Sequence, residues 1–285
     1  MRHAASVENA GTKETVAESE VAAVRPGIEW AEALVTAVQF LTRVPLSSRA
    51  PTAAALRRAP LFFPLVGLAI GCFTASVFWL VGLAWPVWVA VLVALAVELR
   101  LTGALHEDGL ADFCDAFGGG WDREQVLGIL KDSRIGTYGT AGLVCGMLLR
   151  IAALGSIVID RGDDGWLDAA SALVASAAAG RWMIVLVMAA IPPVAERESL
   201  SRDVGSQVSW RGFAVSGLGA LPAIAWFTYL MPAASLIAVG LNAVALLMLG
   251  SLIRRKLGGV TGDCLGCIGY VSQVLWLVAA TARVP

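Results

Sequence analysis

Long apolar runs are the feature that most constrains what this chain can fold into. A helix that spans a bilayer needs about 20 consecutive, mostly apolar residues. Seven stretches meet this requirement: Leu61–Ala84, Val87–Leu105, Tyr138–Ile159, Leu167–Ile191, Phe213–Leu230, Ala233–Ile253 and Leu265–Thr281. Of the 285 residues, 58% are hydrophobic and 15% are charged, whereas soluble domains have about 45–50% and about 25%. The sequence therefore predicts an all-α, polytopic membrane helical bundle with about seven transmembrane helices.

The segment before the first span divides into two parts. Residues 1–27 hold charged residues among small ones and lack the continuous apolar stretch of a signal peptide. We interpret them as a disordered N-terminal extension and residues 28–285 as one membrane-embedded domain. The stretch Ile28–Val44 is apolar but carries Glu29, Glu32 and Arg43, so we expect it to lie in the membrane interface.

Basic residues occur in every second loop. Segments 43–58, 105–138, 193–212 and 254–256 hold several Lys or Arg residues each, whereas the turns at Trp85-Pro86 and Met231-Pro232 hold none. Cytoplasmic loops of membrane proteins carry the excess of Lys and Arg. The longest polar loops are therefore predicted to face the cytoplasm, and any chemistry with them. The net charge of −1 gives no indication of a nucleic-acid partner.

A group of acidic residues follows the second span. If residues 106–115 are helical, Asp108, Asp112 and Asp115 fall at i, i+4 and i+7 and share one face. Stacked anions repel each other, and a divalent cation between them offsets that repulsion. Because Mg²⁺ prefers carboxylate oxygens and substrate phosphates, these residues, with His106 beside them, predict Mg²⁺-dependent phosphoryl-group transfer. Solvated acids that merely cap helices are the simpler alternative.

Two later segments combine glycine with polar residues at the start of a span. Residues 131–139 bring Lys131 and Arg134 together with hydroxyl groups and glycine amides, and free N–H groups at a helix start bind phosphate. Anchoring of the span in the interface explains the same cations equally well. Asp263, at the start of the last span, is placed either as a helix N-cap or as a further metal ligand.

Charges inside predicted spans are a separate indication of function. Arg150 and Arg181 occupy such positions, which are energetically costly and are functional by default. Pairing with a neighbouring helix is the structural alternative. Glu98 and Arg100 are candidates for one such internal pair.

Taken together, five ordered segments resemble the cobalamin synthase family, the adenosylcobinamide-GDP ribazoletransferases. They are FLTRVP at 40–45, FFPLVG at 62–67, GALHEDGLAD at 103–112, KDSRIGTYG at 131–139 and GGVTGDCLG at 258–266. The family usually has an acidic residue in the last span beyond the fifth segment. Residues 267–273 hold none, and Gln273 stands as its candidate replacement. The isolated pair Cys264-x-x-Cys267 leaves a redox or zinc role open.

The resemblance implies an Mg²⁺-dependent enzyme of the inner (cytoplasmic) membrane with its active site facing the cytoplasm. Such an enzyme joins adenosylcobinamide-GDP to α-ribazole or its 5′-phosphate and releases GMP. The expected partners are these substrates, membrane lipid and other cobamide-assembly enzymes.

The matching motifs also imply roles for individual residues. Catalytic roles are expected for His106, Asp108 and Asp112, metal binding for Asp108, Asp112, Asp115 and Asp263, and substrate binding for Lys131, Asp132, Ser133, Arg134 and Arg181. Either His106 or an aspartate is expected to accept the proton of the attacking hydroxyl group.

Two other classes of protein fit part of the pattern. CDP-alcohol phosphotransferases also place aspartates on membrane helices, but their signature includes an arginine that is missing after Asp108-Gly109. An anion transporter would account for Arg150 and Arg181. Transporters, however, place their sites near the midplane between repeated halves, and this chain has no obvious internal repeat.

Overall fold

The computed structural model describes residues 26–194 and 208–283, which form helices joined by short connections. In chain order the helices are α1 (Pro26–Leu41), α2 (Ala53–Arg58), α3 (Phe63–Gly82), α4 (Val87–Thr102), α5 (Leu105–Gly119), α6 (Arg123–Ile129), α7 (Thr137–Arg161), α8 (Gly165–Ala190), α9 (Trp210–Leu230), α10 (Pro232–Leu257) and α11 (Gly262–Ala280). Short 3₁₀ turns at Ala59–Phe62 and Gly162–Asp164 precede α3 and α8. The predicted all-α membrane fold is confirmed.

All seven predicted spans correspond to helices, with ends that differ by at most four residues. Within the described ranges, the continuous helical stretches that are long and apolar enough to cross a membrane are Ala53–Gly82, Thr137–Ala190, Trp210–Leu230, Pro232–Leu257 and Gly262–Ala280. The bent pair α4 and α5 adds a sixth if it is one span. The number seven itself remains a prediction.

The stretch Thr137–Ala190 is a helical hairpin rather than one long rod. A Cβ atom on Gly165 would lie 2.7 Å from the Cα atom of Val158, seven residues earlier. Seven residues of continuous helix would separate the two by about 10 Å. Arg161 near the end of α7 also pairs with Asp168 near the start of α8, at 3.3 Å. The chain therefore reverses direction between α7 and α8.

Helices α8 and α11 form the centre of the bundle. Helix α8 packs against α3, α7, α9 and α11, and α11 packs against α5, α7, α8 and α10. Most of α8 is buried, and more than half of its buried residues are alanine, serine or glycine. Small side chains let helices approach closely inside a membrane, which explains how α8 accommodates so many neighbours.

A sharp corner separates α4 from α5. Gly103 and Ala104 both adopt left-handed backbone conformations, with φ of 67° and 55°, and the two helix axes meet at 86°. Positive φ is uncommon for a residue with a Cβ atom, so Ala104 is strained. The polar segment 105–138, predicted to connect two spans, contains α5 and α6. Because of this corner, α5 does not continue in the direction of α4 and packs against α11.

Two predicted segments fall mainly outside the described residues. The N-terminal extension (1–27) does so except for Pro26 and Gly27, which begin α1. The basic loop 193–212 lies mostly in the gap 195–207. Just before that gap, the Val260 N–H group donates to the Pro192 carbonyl oxygen and the Val260 carbonyl oxygen accepts from the Val194 N–H group. These bonds connect the end of α8 to the segment before α11.

We expect Gly109→Ala to destabilise the bundle. A Cβ atom there would lie 2.9 Å from the Gly266 Cα atom and 3.0 Å from the Asp263 carbonyl oxygen, so α5 and α11 would have to separate. Overpacking of this kind costs about 1–3 kcal/mol. Gly240→Ala, in α10 with nothing within 4 Å of the new Cβ atom, is the matched control. Thermal unfolding in detergent should show a lower Tm for the first variant only, and equal Tm values would contradict the close contact.

Candidate active site

A cavity of about 230 Å³ lies between the N-terminal parts of α5 and α11. His106 and Asp108 of α5 and Asp263 of α11 line it. Phe40 of α1 and Phe63 of α3 form part of its apolar wall, with their rings stacked at 5.6 Å between centroids. Two carboxylates and an imidazole thus meet next to an aromatic surface.

The start of α11 positions Asp263. Thr261 is the N-cap, and its hydroxyl oxygen accepts a hydrogen bond from the Cys264 N–H group at 3.3 Å. The prediction that Asp263 could be the N-cap was therefore wrong, since the helix begins earlier, at Gly262. Asp263 lies in the first turn, where the free N–H groups of a helix favour negative charge. The same turn lines the cavity.

The three aspartates of α5 share a helix, as predicted, but the structure gives them different surroundings. Asp108 lines the cavity and is exposed. Asp115 lies about 10 Å further along the axis, by the rise of an α-helix, and accepts hydrogen bonds from the N–H groups of Gly136 (2.7 Å) and Gly139 (2.8 Å). It therefore caps the start of α7. Asp112 lies between them, is half-buried and does not line the cavity.

Two carboxylates line the cavity, rather than a cluster of three or more. In residues 26–194 and 208–283, no group of three or more His, Cys, Asp or Glu side chains is close enough to hold a metal ion together. Of the four predicted metal ligands, the cavity brings together Asp108 and Asp263. Mg²⁺ is commonly held by one or two carboxylates plus substrate phosphates, so this donor set fits the ion.

The predicted substrate-binding segment, residues 131–134, lies on the surface near the Asp115 end of α5. Lys131, Ser133 and Arg134 are exposed, and none of them lines the cavity. The Arg134 guanidinium forms a bidentate pair with Asp132, with a shortest N–O distance of 2.6 Å. Its hydrogen bonds lower the pKa of Asp132 to about 2. Both groups are therefore charged at neutral pH.

Arg150 is fully buried and bridges two carboxylates. It pairs with Glu98 of α4 at 2.6 Å and with Glu107 of α5 at 3.3 Å, and its guanidinium lies 5.7 Å from the centre of the Tyr270 ring. Arg150 therefore pairs with neighbouring helices, which was the structural alternative to a functional role. Glu98 pairs with Arg150, so the proposed pair of Glu98 with Arg100 was wrong.

Arg181 is also fully buried but has a different environment. Its Nη1 atom donates to the Ala177 carbonyl oxygen at 3.3 Å, and its Nη2 atom lies 3.4 Å from His106 Nδ1. Within the described ranges no carboxylate lies within salt-bridge distance of it. Arg181 does not line the cavity itself. It reaches the site through His106.

Sequence reasoning missed several residues that shape the site. Phe40 and Phe63 belong to segments that resemble the family, but an aromatic residue in an apolar run gives no separate signal. Glu107 and Tyr270 were missed because their partner, Arg150, is distant in sequence. Gln273 and both Cys264 and Cys267 are buried in the packing of α11, and the two cysteines are not joined in a disulfide.

Comparison with known proteins adds an independent observation. Residues 33–281 match the cobalamin-5-phosphate synthase family. The chain belongs to this family. The match covers most of the sequence and includes all the residues of the cavity and of the Arg150 network. The resemblance inferred from the five segments is confirmed.

Relatives in the cobalamin-5-phosphate synthase family cover nearly the whole chain. An adenosylcobinamide-GDP ribazoletransferase of Ralstonia pickettii is 37% identical over 248 residues, which are 86% of this chain and 93% of the relative. One from Rhizobium etli is 40% identical over 254 residues, 86% of this chain and 95% of the relative. No solved structure matches the chain.

We expect Asp115→Ala to act on stability rather than on metal binding. The change removes both hydrogen bonds at the start of α7, and loss of a helix cap costs about 0.5–2 kcal/mol. The Tm should fall, whereas the Mg²⁺ concentration that gives half-maximal activity should stay the same. Asp122→Ala, which removes the cap of the short helix α6, is the matched control. A higher Mg²⁺ requirement at unchanged Tm would instead make Asp115 a ligand.

Arg150→Leu should be far more damaging than a substitution at the end of the same helix. It would leave Glu98 and Glu107 buried without their counter-ion, and breaking a buried ion pair costs about 3–5 kcal/mol. Arg161, whose side chain is 35% exposed in its pair with Asp168, provides the control. For Arg161→Leu we expect a loss of about 0–1 kcal/mol. Denaturation in detergent compares the two, and equal losses would contradict a structural role for the Arg150 network.

Proposed function

We propose that this chain catalyses the nucleotide-loop assembly step of cobalamin biosynthesis. It joins adenosylcobinamide-GDP to α-ribazole, or to its 5′-phosphate, and releases GMP. The observation that carries the proposal is the cavity in which Asp108 and Asp263 meet at the N-terminus of α11, in a chain of the cobalamin-5-phosphate synthase family.

The reaction exchanges a phosphoanhydride bond for a phosphate ester bond. The 3′-hydroxyl oxygen of the ribazole forms a bond to the phosphorus attached to cobinamide, and the bond from that phosphorus to the oxygen of GMP breaks. The hydroxyl proton must pass to a base, and the departing GMP carries the negative charge. Catalysis of this kind depends mainly on positioning and on electrostatic stabilisation of the phosphoryl oxygens.

Asp108 and Asp263 are the residues that would hold Mg²⁺. Their carboxylates are hard oxygen donors, and the N–H groups in the first turn of α11 lie beside them to bind phosphate oxygens. Bound Mg²⁺ would neutralise charge on the diphosphate. Asp112, one turn beyond Asp108, is a further candidate ligand, whereas the hydrogen bonds of Asp115 support a structural role.

The size of the cavity limits which part of the substrates enters it. A volume of about 230 Å³ is below the range of about 300–1,000 Å³ that holds a drug-sized ligand. The reacting phosphate and sugar fit, and the corrinoid ring stays outside. The stacked rings of Phe40 and Phe63 offer an apolar surface to a planar base at the same wall. Lys131 and Arg134 are exposed and belong to the segment whose Gly136 contacts Asp115, a residue about 10 Å from Asp108 along α5. There they can attract the anionic substrate.

The basic loops support a cytoplasmic orientation of this site. The cavity lies next to α5, which belongs to the basic segment 105–138, and next to the start of α11, which follows the basic residues 254–256. The membrane is then the inner (cytoplasmic) membrane, and both water-soluble substrates reach the site from the cytoplasm. Other cobamide-assembly enzymes are proposed partners on the same face.

The proposed function is tested with the purified full-length protein in detergent or nanodiscs. Incubation with adenosylcobinamide-GDP, α-ribazole and Mg²⁺ should release GMP together with a cobamide that contains α-ribazole. Omission of Mg²⁺ or addition of a chelator should abolish GMP release. Absence of GMP with both α-ribazole and its 5′-phosphate, from protein that unfolds cooperatively, would contradict the proposal.

Asp108→Asn and Asp263→Asn should each abolish or strongly reduce GMP release. Each change keeps the size of the side chain but removes one of the two charges that face the diphosphate. We expect losses of about 100-fold or more, the scale of removing one electrostatic contact to a transition state. Asp163→Asn, at an exposed carboxylate in the turn between α7 and α8, should have wild-type activity. Near-normal activity of either cavity variant would refute this assignment.

A further inference from the structure

The contact between Arg181 and His106 determines which ring nitrogen of the histidine carries a proton. A guanidinium group has only N–H donors and does not lose its proton in proteins. In the contact of 3.4 Å between Arg181 Nη2 and His106 Nδ1, the arginine is therefore the donor and Nδ1 the acceptor. Nδ1 must present a lone pair, and the proton of the ring is then on Nε2.

Because Nδ1 contacts Arg181, Nε2 is the ring nitrogen left to face the cavity. His106 lines the cavity, although only 2% of the residue is exposed. Across residues 26–194 and 208–283, Nε2 has no hydrogen-bond partner. It is not among the fully buried polar atoms that lack a partner, so the protein does not enclose it completely. The N–H group that Arg181 enforces is thus available to a bound substrate.

The side chain of Arg181 is held in a fixed position by its surroundings. The residue is 0% exposed and is anchored to the carbonyl oxygen of Ala177 in its own helix. The ring is confined from the other side by Gly269 of α11, because a Cβ atom on that glycine would lie 2.9 Å from His106 Cδ2. The imidazole therefore has little freedom to rotate and exchange its two nitrogens.

We propose that His106 acts as a hydrogen-bond donor, through Nε2–H, to the phosphoryl group undergoing transfer, and that Arg181 is the positioning residue that sets this tautomer. The inference rests on the function proposed above. A nitrogen that already carries a proton cannot accept the proton of the ribazole hydroxyl group. That proton passes to water in the cavity or to a carboxylate oxygen that does not hold the metal, while Nε2–H stabilises the charge that develops on the phosphoryl oxygen.

Two substitutions of His106 distinguish a donor from a base. Glutamine can place an amide N–H group near the position of Nε2 but cannot act as a base, and leucine can do neither. We expect His106→Gln to keep GMP release within about tenfold of wild type and His106→Leu to lose about 100–1,000-fold, mainly in kcat. Equal and severe losses in both folded variants would overturn the donor role.

A spectroscopic measurement tests the tautomer without any substrate. The chain contains two histidines, His3 and His106, so a His3→Ala protein labelled with ¹⁵N-histidine reports on one ring. Correlation of its ring nitrogens with the carbon-bound protons should show a single neutral form with the proton on Nε2. A proton on Nδ1, or on both nitrogens, would overturn the inference even if the protein releases GMP.

The same spectrum tests the role of Arg181. Arg181→Met should produce a mixture of both tautomers together with a lower kcat, because nothing then holds Nδ1 as an acceptor. Arg161→Met, a change at an arginine of α7 that contacts Asp168, should leave the spectrum as in wild type. An unchanged single tautomer in Arg181→Met would show that the arginine does not position the ring.

Discussion

One buried arginine sets the geometry on which the rest of the site depends. Inside a membrane a charge has to be matched by the protein itself, and Arg150 is matched by Glu98 and Glu107. These two carboxylates lie on opposite sides of the corner at residues 103 and 104. By contacting both, Arg150 fixes the angle between α4 and α5 and so determines where the first turn of α5, with His106 and Asp108, meets α11.

Close backbone contact completes the assembly of the cavity. Gly109 and Gly266 face each other across α5 and α11 without side chains between them, which brings Asp108 and Asp263 to the same space. The two helices contribute different properties: α5 supplies side chains, and α11 supplies the N–H groups of its first turn as well. Arg181 reinforces the arrangement from behind, through the His106 ring.

Much of this architecture could be predicted from the sequence. The apolar runs identified seven helices, because a hydrocarbon environment leaves little choice of secondary structure, and the spacing of Asp108, Asp112 and Asp115 correctly placed them on one helix. The different surroundings of these aspartates could not be predicted. A period of 3.6 residues predicts which residues of one helix share a face, but it does not predict contacts with other helices. The partners of Asp115 are the N–H groups of Gly136 and Gly139, at the start of another helix. In the same way, only three-dimensional contacts reveal that Arg150 has two acidic partners and Arg181 has none among the described residues.

The small volume of the cavity has a consequence for selectivity. An enzyme can discriminate between substrates only through atoms that it contacts in the transition state. If the corrinoid ring stays outside, then its periphery is sampled weakly. Any preference for the base of the acceptor must arise where that base meets the Phe40 and Phe63 wall. Flat aromatic surfaces accept many heterocycles of similar size. This geometry therefore favours an enzyme that is specific for the phosphate bond it forms and that accepts acceptors with different heterocyclic bases.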